Sequence, residues 1–442
     1  MENDIMHFNC IVVIKVCAVY VHMERYNPWW FGEVDPLYEE WLDYKVKWVP
    51  RVINEISVRP FALHFLVGPR QVGKTTVLKI LIYRLLAEGR DPRSIFYYSC
   101  DELRDYRELG EVLDNYLKSR RAWGVKSSFI VLDEVTFVEE WYRALKSRID
   151  SRLFKNDVIV VSGSASLELL AGKERFPGRR GKGRDIYMYP LSFGEYVKLI
   201  GGLRLEEAVL EDIEGFERSL AANSIFSGRL SELFEKYLET GGYPIPIREL
   251  FERGRVTYVS RKAYLDWLIA DWLRAGKNIN LMKEVVSYLL EVMPSPVSWH
   301  SIARHTSLAS PHTSREYVTT LELLMVAKIV HWASPDGKPD YRKEKKIVFT
   351  DPFITKVLSE YTGIQVEEAA VVEATVTSHL ARKYPVYYWK DSTEVDVLAT
   401  VDSFVAGFEV KWRHRPRRKA KPLKTRILDK QEIPVFLASL AV

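Results

Sequence analysis

Short apolar runs alternate with stretches of helical periodicity through the first half of the chain. The runs cover residues 61–67, 94–99, 128–132 and 158–161. Each is rich in β-branched or aromatic residues and gives way to a polar turn, the pattern of a strand buried on both faces. Behind the first run, Val77, Leu78, Leu81 and Leu85 recur at helical spacing. Strands alternating with helices predict an α/β domain built on a parallel, doubly wound sheet, which binds ligands at the C-terminal edge of its strands. Over residues 205–276 helical patterns dominate and predict a helical lid. Residues 277–350 predict an amphipathic helix (281–292), a short helix (298–306), a third helix from Ser310, and two β-like runs (327–333 and 345–349). Three helices and a hairpin form the winged-helix pattern. The third helix would read a DNA groove with Ser310, His312, Thr313, Ser314, Arg315 and Tyr317; a winged helix used for packing or protein contacts is the plainer reading, since the segment is not strongly basic. Residues 351–442 predict a further helix, near 367–382, and then two strands around a tight turn at Asp402-Ser403.

The first apolar run ends in Gly68-Pro69-Arg70-Gln71-Val72-Gly73-Lys74-Thr75, followed by Thr76. This fits the phosphate-binding pattern G-x-x-x-x-G-K-[ST]. Its glycines turn the chain and expose backbone N–H groups to phosphate oxygens. The lysine reaches the β- and γ-phosphates, and the hydroxyl of Thr75 ligates Mg²⁺. ATP and Mg²⁺ are therefore the expected cofactors, with ATP and ADP as ligands. The run at 128–132 leads straight into Asp133-Glu134. An aspartate there would hold the Mg²⁺ shell, and Glu134 would polarise the attacking water. The run at 158–161 is followed by Ser162-Gly-Ser164, where Ser164, or failing it Ser162, is the expected γ-phosphate sensor; a plain polar turn at the strand end is the alternative. Arg179 and Arg180, in a glycine-bounded loop, are candidates to stabilise transferring charge, in cis or from a neighbouring subunit; a solvated basic turn is the plainer reading.

Composition adds bounds rather than chemistry. With 442 residues the chain is long enough for roughly three domains. Cys10, Cys17 and Cys100 show neither metal-ligand spacing nor an even count, so a reducing cytoplasm is the expected location. The apolar stretch 10–21 contains Lys15 and is too short to span a bilayer. Its leading residues include Glu2 and Asp4, which argues against a signal peptide, and residues 1–22 read as an extension or an extra strand. The net charge of +5 is local: nine Lys and Arg residues lie between Lys411 and Arg426, without which the chain would carry −4. A patch of that kind, interleaved with Trp412 and His414, can track a nucleic-acid backbone.

GPRQVGKTT, VLDEV, SGSAS, PGRRG, PLSFGE (Pro190–Glu195) and LETGGYP (Leu238–Pro244) occur in this order. In this the chain resembles prokaryotic, archaeal-type AAA-type ATPases carrying a C-terminal DUF4143 region, from about Tyr26 to the C-terminus. The resemblance implies an AAA-type core followed by a helical lid, a winged helix and a restriction-endonuclease-like domain. The corresponding segments are 1–50 (lead-in), 51–204, 205–276, 277–350 and 351–442. A two-residue turn at Asp402-Ser403 would set Asp396 opposite Glu409 and Glu394 opposite Lys411, all on one face. Two acids and a lysine so spaced resemble the PD-(D/E)xK nucleases, in which the acids bind Mg²⁺ and the lysine steadies the reacting groups. Glu373 matches that family's additional acid. The plainer reading is a surface hairpin with a Glu394–Lys411 pair. Three functions follow as expectations. One is an ATPase coupled to DNA binding and nuclease action. Another is a nucleotide-controlled switch that assembles, as a homo-oligomer or with a partner, and cuts nothing. The last is a winged-helix transcription regulator.

Overall fold

The computed structural model describes residues 23–163, 169, 172, 174–402, 404–412 and 423–442. The 10–21 stretch, Ser164, Ser403 and residues 413–422 of the basic run lie outside the described residues. The chain divides into two compact units, Met1–Met188 and Tyr189–Val442. The lid, winged-helix and nuclease-like segments expected as separate domains all fall in the second, together with the end of the segment expected as ATPase core.

In the first unit β1 (Ala62–Val67), β2 (Ile95–Ser99), β3 (Phe129–Asp133), β4 (Val158–Gly163) and β5 (Asp185–Tyr187) form one parallel sheet in the order β2-β3-β4-β1-β5. β1, β3 and β4 are buried along their whole length, as continuous apolar runs require when both faces of a sheet are covered. β4 lies between the strand that carries the phosphate-binding loop and the strand that carries Asp133, so all three C-terminal ends converge. The outer edge of β2 would expose unpaired backbone groups. Asn27 covers them: its amide donates to the Tyr97 carbonyl (2.9 Å) and accepts from the Tyr97 N–H (2.7 Å). The indoles of Trp29 and Trp30 both donate to the Ile95 carbonyl. The lead-in segment thus acts as a side-chain substitute for a further strand.

The second unit holds a six-stranded mixed sheet in the order β11-β10-β9-β8-β6-β7. Its strands are β6 (Ala327–Ala333), β7 (Pro339–Phe349), β8 (Val386–Lys390), β9 (Glu394–Val401), β10 (Phe404–Lys411) and β11 (Thr425–Asp429). Helices Ile279–Val292, Trp299–Arg304 and Pro311–Leu323 precede the antiparallel β6–β7 hairpin. That hairpin is continuous with the C-terminal strands through the parallel β6–β8 pairing. Helix Glu368–Ala381 packs across β7, β8, β9 and β10. The helices expected as a lid, Ile213–Ser224 and Ser227–Thr240 among them, pack on the C-terminal helix Glu432–Ser439 inside this unit.

The two motifs most specific to the resemblance meet at the centre of the second unit. The Tyr237 hydroxyl donates to the Leu191 carbonyl (2.8 Å), and the Leu191 N–H donates to the Gly242 carbonyl (2.9 Å). Buried Asp351 accepts from the N–H groups of Gly242 and Phe353, each at 2.9 Å. Burial pushes its carboxyl up to about 6 against the pull of these donors. A Cβ on Gly241 would come within 1.9 Å of Asp351 Oδ1, and one on Gly242 within 2.2 Å of the Leu191 carbonyl oxygen. His379 is buried and burial holds it well below its usual range. As a neutral ring it accepts from the Phe193 N–H at 2.9 Å.

Candidate functional site

The phosphate-binding loop follows β1 and closes at Gly73, whose φ of +99° is left-handed. Gln71 is also left-handed, at +59°. Helix Lys74–Ala87 begins there with no side-chain cap, so its first N–H groups remain for a ligand and its dipole favours an anion. At Gly68 a Cβ would meet the Met188 carbonyl oxygen at 2.4 Å, so only glycine fits. Val72 is buried and anchors the loop. The Lys74 ammonium donates to the carbonyls of Gly68 (2.9 Å) and Pro69 (2.8 Å), lying over the loop it would leave when phosphate arrives.

Asp133, at the end of β3, is the centre of the polar network. Its Oδ2 accepts from the Thr75 hydroxyl at 2.6 Å and from the Tyr97 hydroxyl at 3.0 Å. Its Oδ1 accepts from the Ser162 hydroxyl and from the Glu134 N–H (3.1 Å). Burial, reinforced by Asp133, pushes the Tyr97 phenol well up, so it stays a donor. Tyr97 is itself held by Asn27 and lies under the Lys79 ammonium, 3.4 Å from its ring centroid; Lys79 pairs with Asp35 at 2.7 Å. Glu134 has a left-handed φ of +55°, a conformation that costs a non-glycine residue energy and collects at functional positions. These residues fit a nucleotide with Mg²⁺. Lys74 and the loop N–H groups would hold phosphates, while Thr75 and Asp133 would hold the cation. When bound, the cation would neutralise charge on the phosphoryl oxygens.

Sequence reasoning missed Tyr97 and placed Ser162 second to Ser164. The order of strands, invisible in the linear chain, is what brings Ser162 to Asp133. Arg179 and Arg180 lie elsewhere. The Leu63 N–H donates to the Arg180 carbonyl, and Gly181 bridges Ala62. Their loop therefore meets the start of β1, and the phosphate-binding loop leaves its end, roughly 17 Å along a strand of that length. Arg179 pairs with Asp150 at 2.6 Å and Arg180 with Asp185 at 3.0 Å.

In the second unit β9 and β10 pair with Phe404 opposite Val401 and Phe408 opposite Val397. Continued by one step, this register sets Asp396 opposite Glu409. The Asp396 carboxylate accepts from the Val410 N–H at 2.8 Å. Lys411 pairs with Glu409 at 2.9 Å and lies 3.8 Å from Asp396. Glu373 reaches the same cluster from helix Glu368–Ala381. An unforeseen residue joins it: Lys346 of β7, 2% exposed, pairs with Glu373 (2.7 Å) and Glu394 (2.8 Å). Burial pushes Glu373 up to about 7 against the pull of Lys346. Burial also raises Asp396, against Lys346 and Lys411. Burial works against the Lys346 charge, yet Glu373, Asp396 and Glu394 hold its ammonium above the usual lysine range. Among the described residues no group of three or more His, Cys, Asp or Glu side chains is arranged to hold a metal ion.

Of the residues expected to read a DNA groove, His312 and Arg315 are exposed. Ser314 and Tyr317 are buried, and Ser310 caps the helix by accepting from the Thr313 N–H. Ser314 and Tyr317 thus serve the packed face of the helix, and Ser310 its first turn. Trp412 is likewise buried, with its indole on Glu368, and Arg426 pairs with Glu217 at 2.6 Å. No helix of the described residues is long and apolar enough to cross a membrane.

Residues 61–197 match the family model of the AAA domain. Residues 231–365 match a domain of unknown function, DUF8612, a different domain from the DUF4143 region of the resemblance. No curated protein matches the chain. Among solved structures, a Walker-type ATPase of Pyrococcus abyssi is 14% identical with a TM-score of 0.41, over 67% of this chain and 90% of that one. The ORC2 protein of Aeropyrum pernix, in ADPNP–ADP complexes, is 11% identical with a TM-score of 0.37, over 72% and 98%. The ORC1 protein of the same organism, in complex with DNA, is 15% identical with a TM-score of 0.29, over 68% and 86%. The AAA match covers the same residues as the parallel sheet and its loop, and this part of the chain has an AAA-type P-loop ATPase fold.

Proposed function

We propose that the protein is a Mg²⁺-dependent ATP hydrolase whose nucleotide state controls binding of DNA by its second unit. The observation that carries the ATPase reading is the 2.6 Å bond between Thr75 and Asp133. It joins the two candidate metal-holding groups, beside a loop whose glycines leave room for phosphate. Glu134, one residue on, is the candidate base that polarises water.

The DNA reading is supported by three helices ahead of a hairpin, by exposed His312 and Arg315 on the third helix, and by exposed Tyr341, Arg342 and Lys343 on β7. Cations that contact phosphates make binding fall with salt. DNA binding should be measured by fluorescence anisotropy with ADP, and with ATP held unhydrolysed by Glu134→Gln. A nucleotide-dependent affinity that weakens with salt is expected. Equal affinity in both states contradicts control by nucleotide, and no binding at low salt contradicts the DNA reading. The register around Asp396 favours a nuclease step, whereas the pairing of Glu373 and Glu394 with Lys346 opposes one.

A further inference from the structure

The metal expected for a PD-(D/E)xK site does not fit the C-terminal cluster as it is built. In that arrangement the acids face one another and need a cation between them. Here a protein cation bonds Glu373 and Glu394, the acids beside the facing pair Asp396 and Glu409. Lys346 donates to Glu373 Oε1 at 2.7 Å and lies 2.8 Å from Glu394 Oε1. Lys411, the lysine the motif calls for, lies 2.9 Å from Glu409 and 3.8 Å from Asp396, so the facing acids too have a protein cation beside them. Lys346 is thus a second lysine that the motif does not contain.

Its position is dictated by the strand. Residues 345–349 of β7 are all buried, so the stem of Lys346 cannot turn outward to water. A buried ammonium is tolerated only when paired and hydrogen-bonded, and the carboxylates of helix Glu368–Ala381 and β9 supply those pairs. Three elements far apart in the chain are tied at one nitrogen.

We infer that Lys346 is the resident cation of this cluster, that Glu373, Glu394 and Asp396 do not recruit Mg²⁺, and that the second unit does not cut phosphodiester bonds. The ion pair instead locks β7, the far strand of the hairpin, to the C-terminal strands. This inference stands apart from the ATPase reading, because it concerns other residues and another assay.

The test is Mn²⁺ binding to the full chain without nucleotide, followed by electron paramagnetic resonance. The difference between wild type and Asp396→Asn isolates the cluster from any manganese at the phosphate-binding loop. No difference is expected. Lys346→Met should gain about one Mn²⁺, and the Lys346→Met/Asp396→Asn double variant should lose it again. If Lys346→Met does not fold, the wild-type comparison still decides. Manganese bound by wild type and lost in Asp396→Asn overturns the inference, as does metal-dependent DNA cutting abolished by Asp396→Asn. A folded Lys346→Met variant that gains no manganese overturns the stand-in role of the ammonium.

Discussion

Asp133 accepts from four donors, and the least expected of them is the Tyr97 hydroxyl. The phosphate-binding loop could be read from the sequence because its contacts are local: eight consecutive residues carry turn, cradle and lysine. Tyr97 could not be read that way. It looks like one more aromatic of a buried strand, and only the pairing of β2 beside β3 sets its hydroxyl on the carboxylate. Lys346 escaped for the same reason, since its acidic partners come from a later helix and a later strand. A lysine inside an apolar strand end was the available signal. If Tyr97 positions Asp133, Tyr97→Phe should lower kcat roughly 10-fold, the equivalent of one hydrogen bond to a charged group. It should also raise the Mg²⁺ concentration needed for half-maximal rate while leaving KM for ATP within about twofold. Steady-state rates across a magnesium series check this, and an unchanged magnesium dependence would reduce Tyr97 to a packing role.

At the scale of elements, four of the five strands of the parallel sheet were legible as contiguous apolar runs ending in a polar turn, whereas β5, three residues beginning with Asp185, carries no such run. The β9–β10 hairpin was legible because two-residue alternation and a tight turn set its register. The second unit was less so. Its hairpin reads locally as a wing, and nothing local says that β6 also pairs with β8. The motifs around Gly194 and Gly241 stand out in the sequence without stating their purpose, which is the junction at Asp351. Gly241 has φ +54° and ψ −154°, a region that side chains avoid. Gly241→Ala should destabilise the second unit by about 1–3 kcal/mol, through backbone strain and the clash with Asp351. Ala at exposed Gly254, which also has a positive φ but nothing within 4 Å of its Cβ, should cost less. Denaturant unfolding of the two variants measures the difference, and equal losses would remove the close contact from the explanation.

For the whole molecule, the ATPase fold lies in Met1–Met188 and the hairpin and ionic cluster in Tyr189–Val442. The candidate nucleotide site and the candidate surface for DNA therefore belong to different units. The ionic cluster fits the same picture. With Lys346 in place it adds cohesion to the second unit rather than a second hydrolytic centre, and the proposed function rests on the nucleotide site alone. The central claim is tested most directly by phosphate release from ATP by the full chain, with Mg²⁺ or with EDTA, for wild type and Glu134→Gln. Magnesium-dependent release, reduced roughly 100-fold or more in Glu134→Gln as for loss of a general base, is expected, with nucleotide binding retained. No release by wild type, or equal release by both proteins, would contradict it.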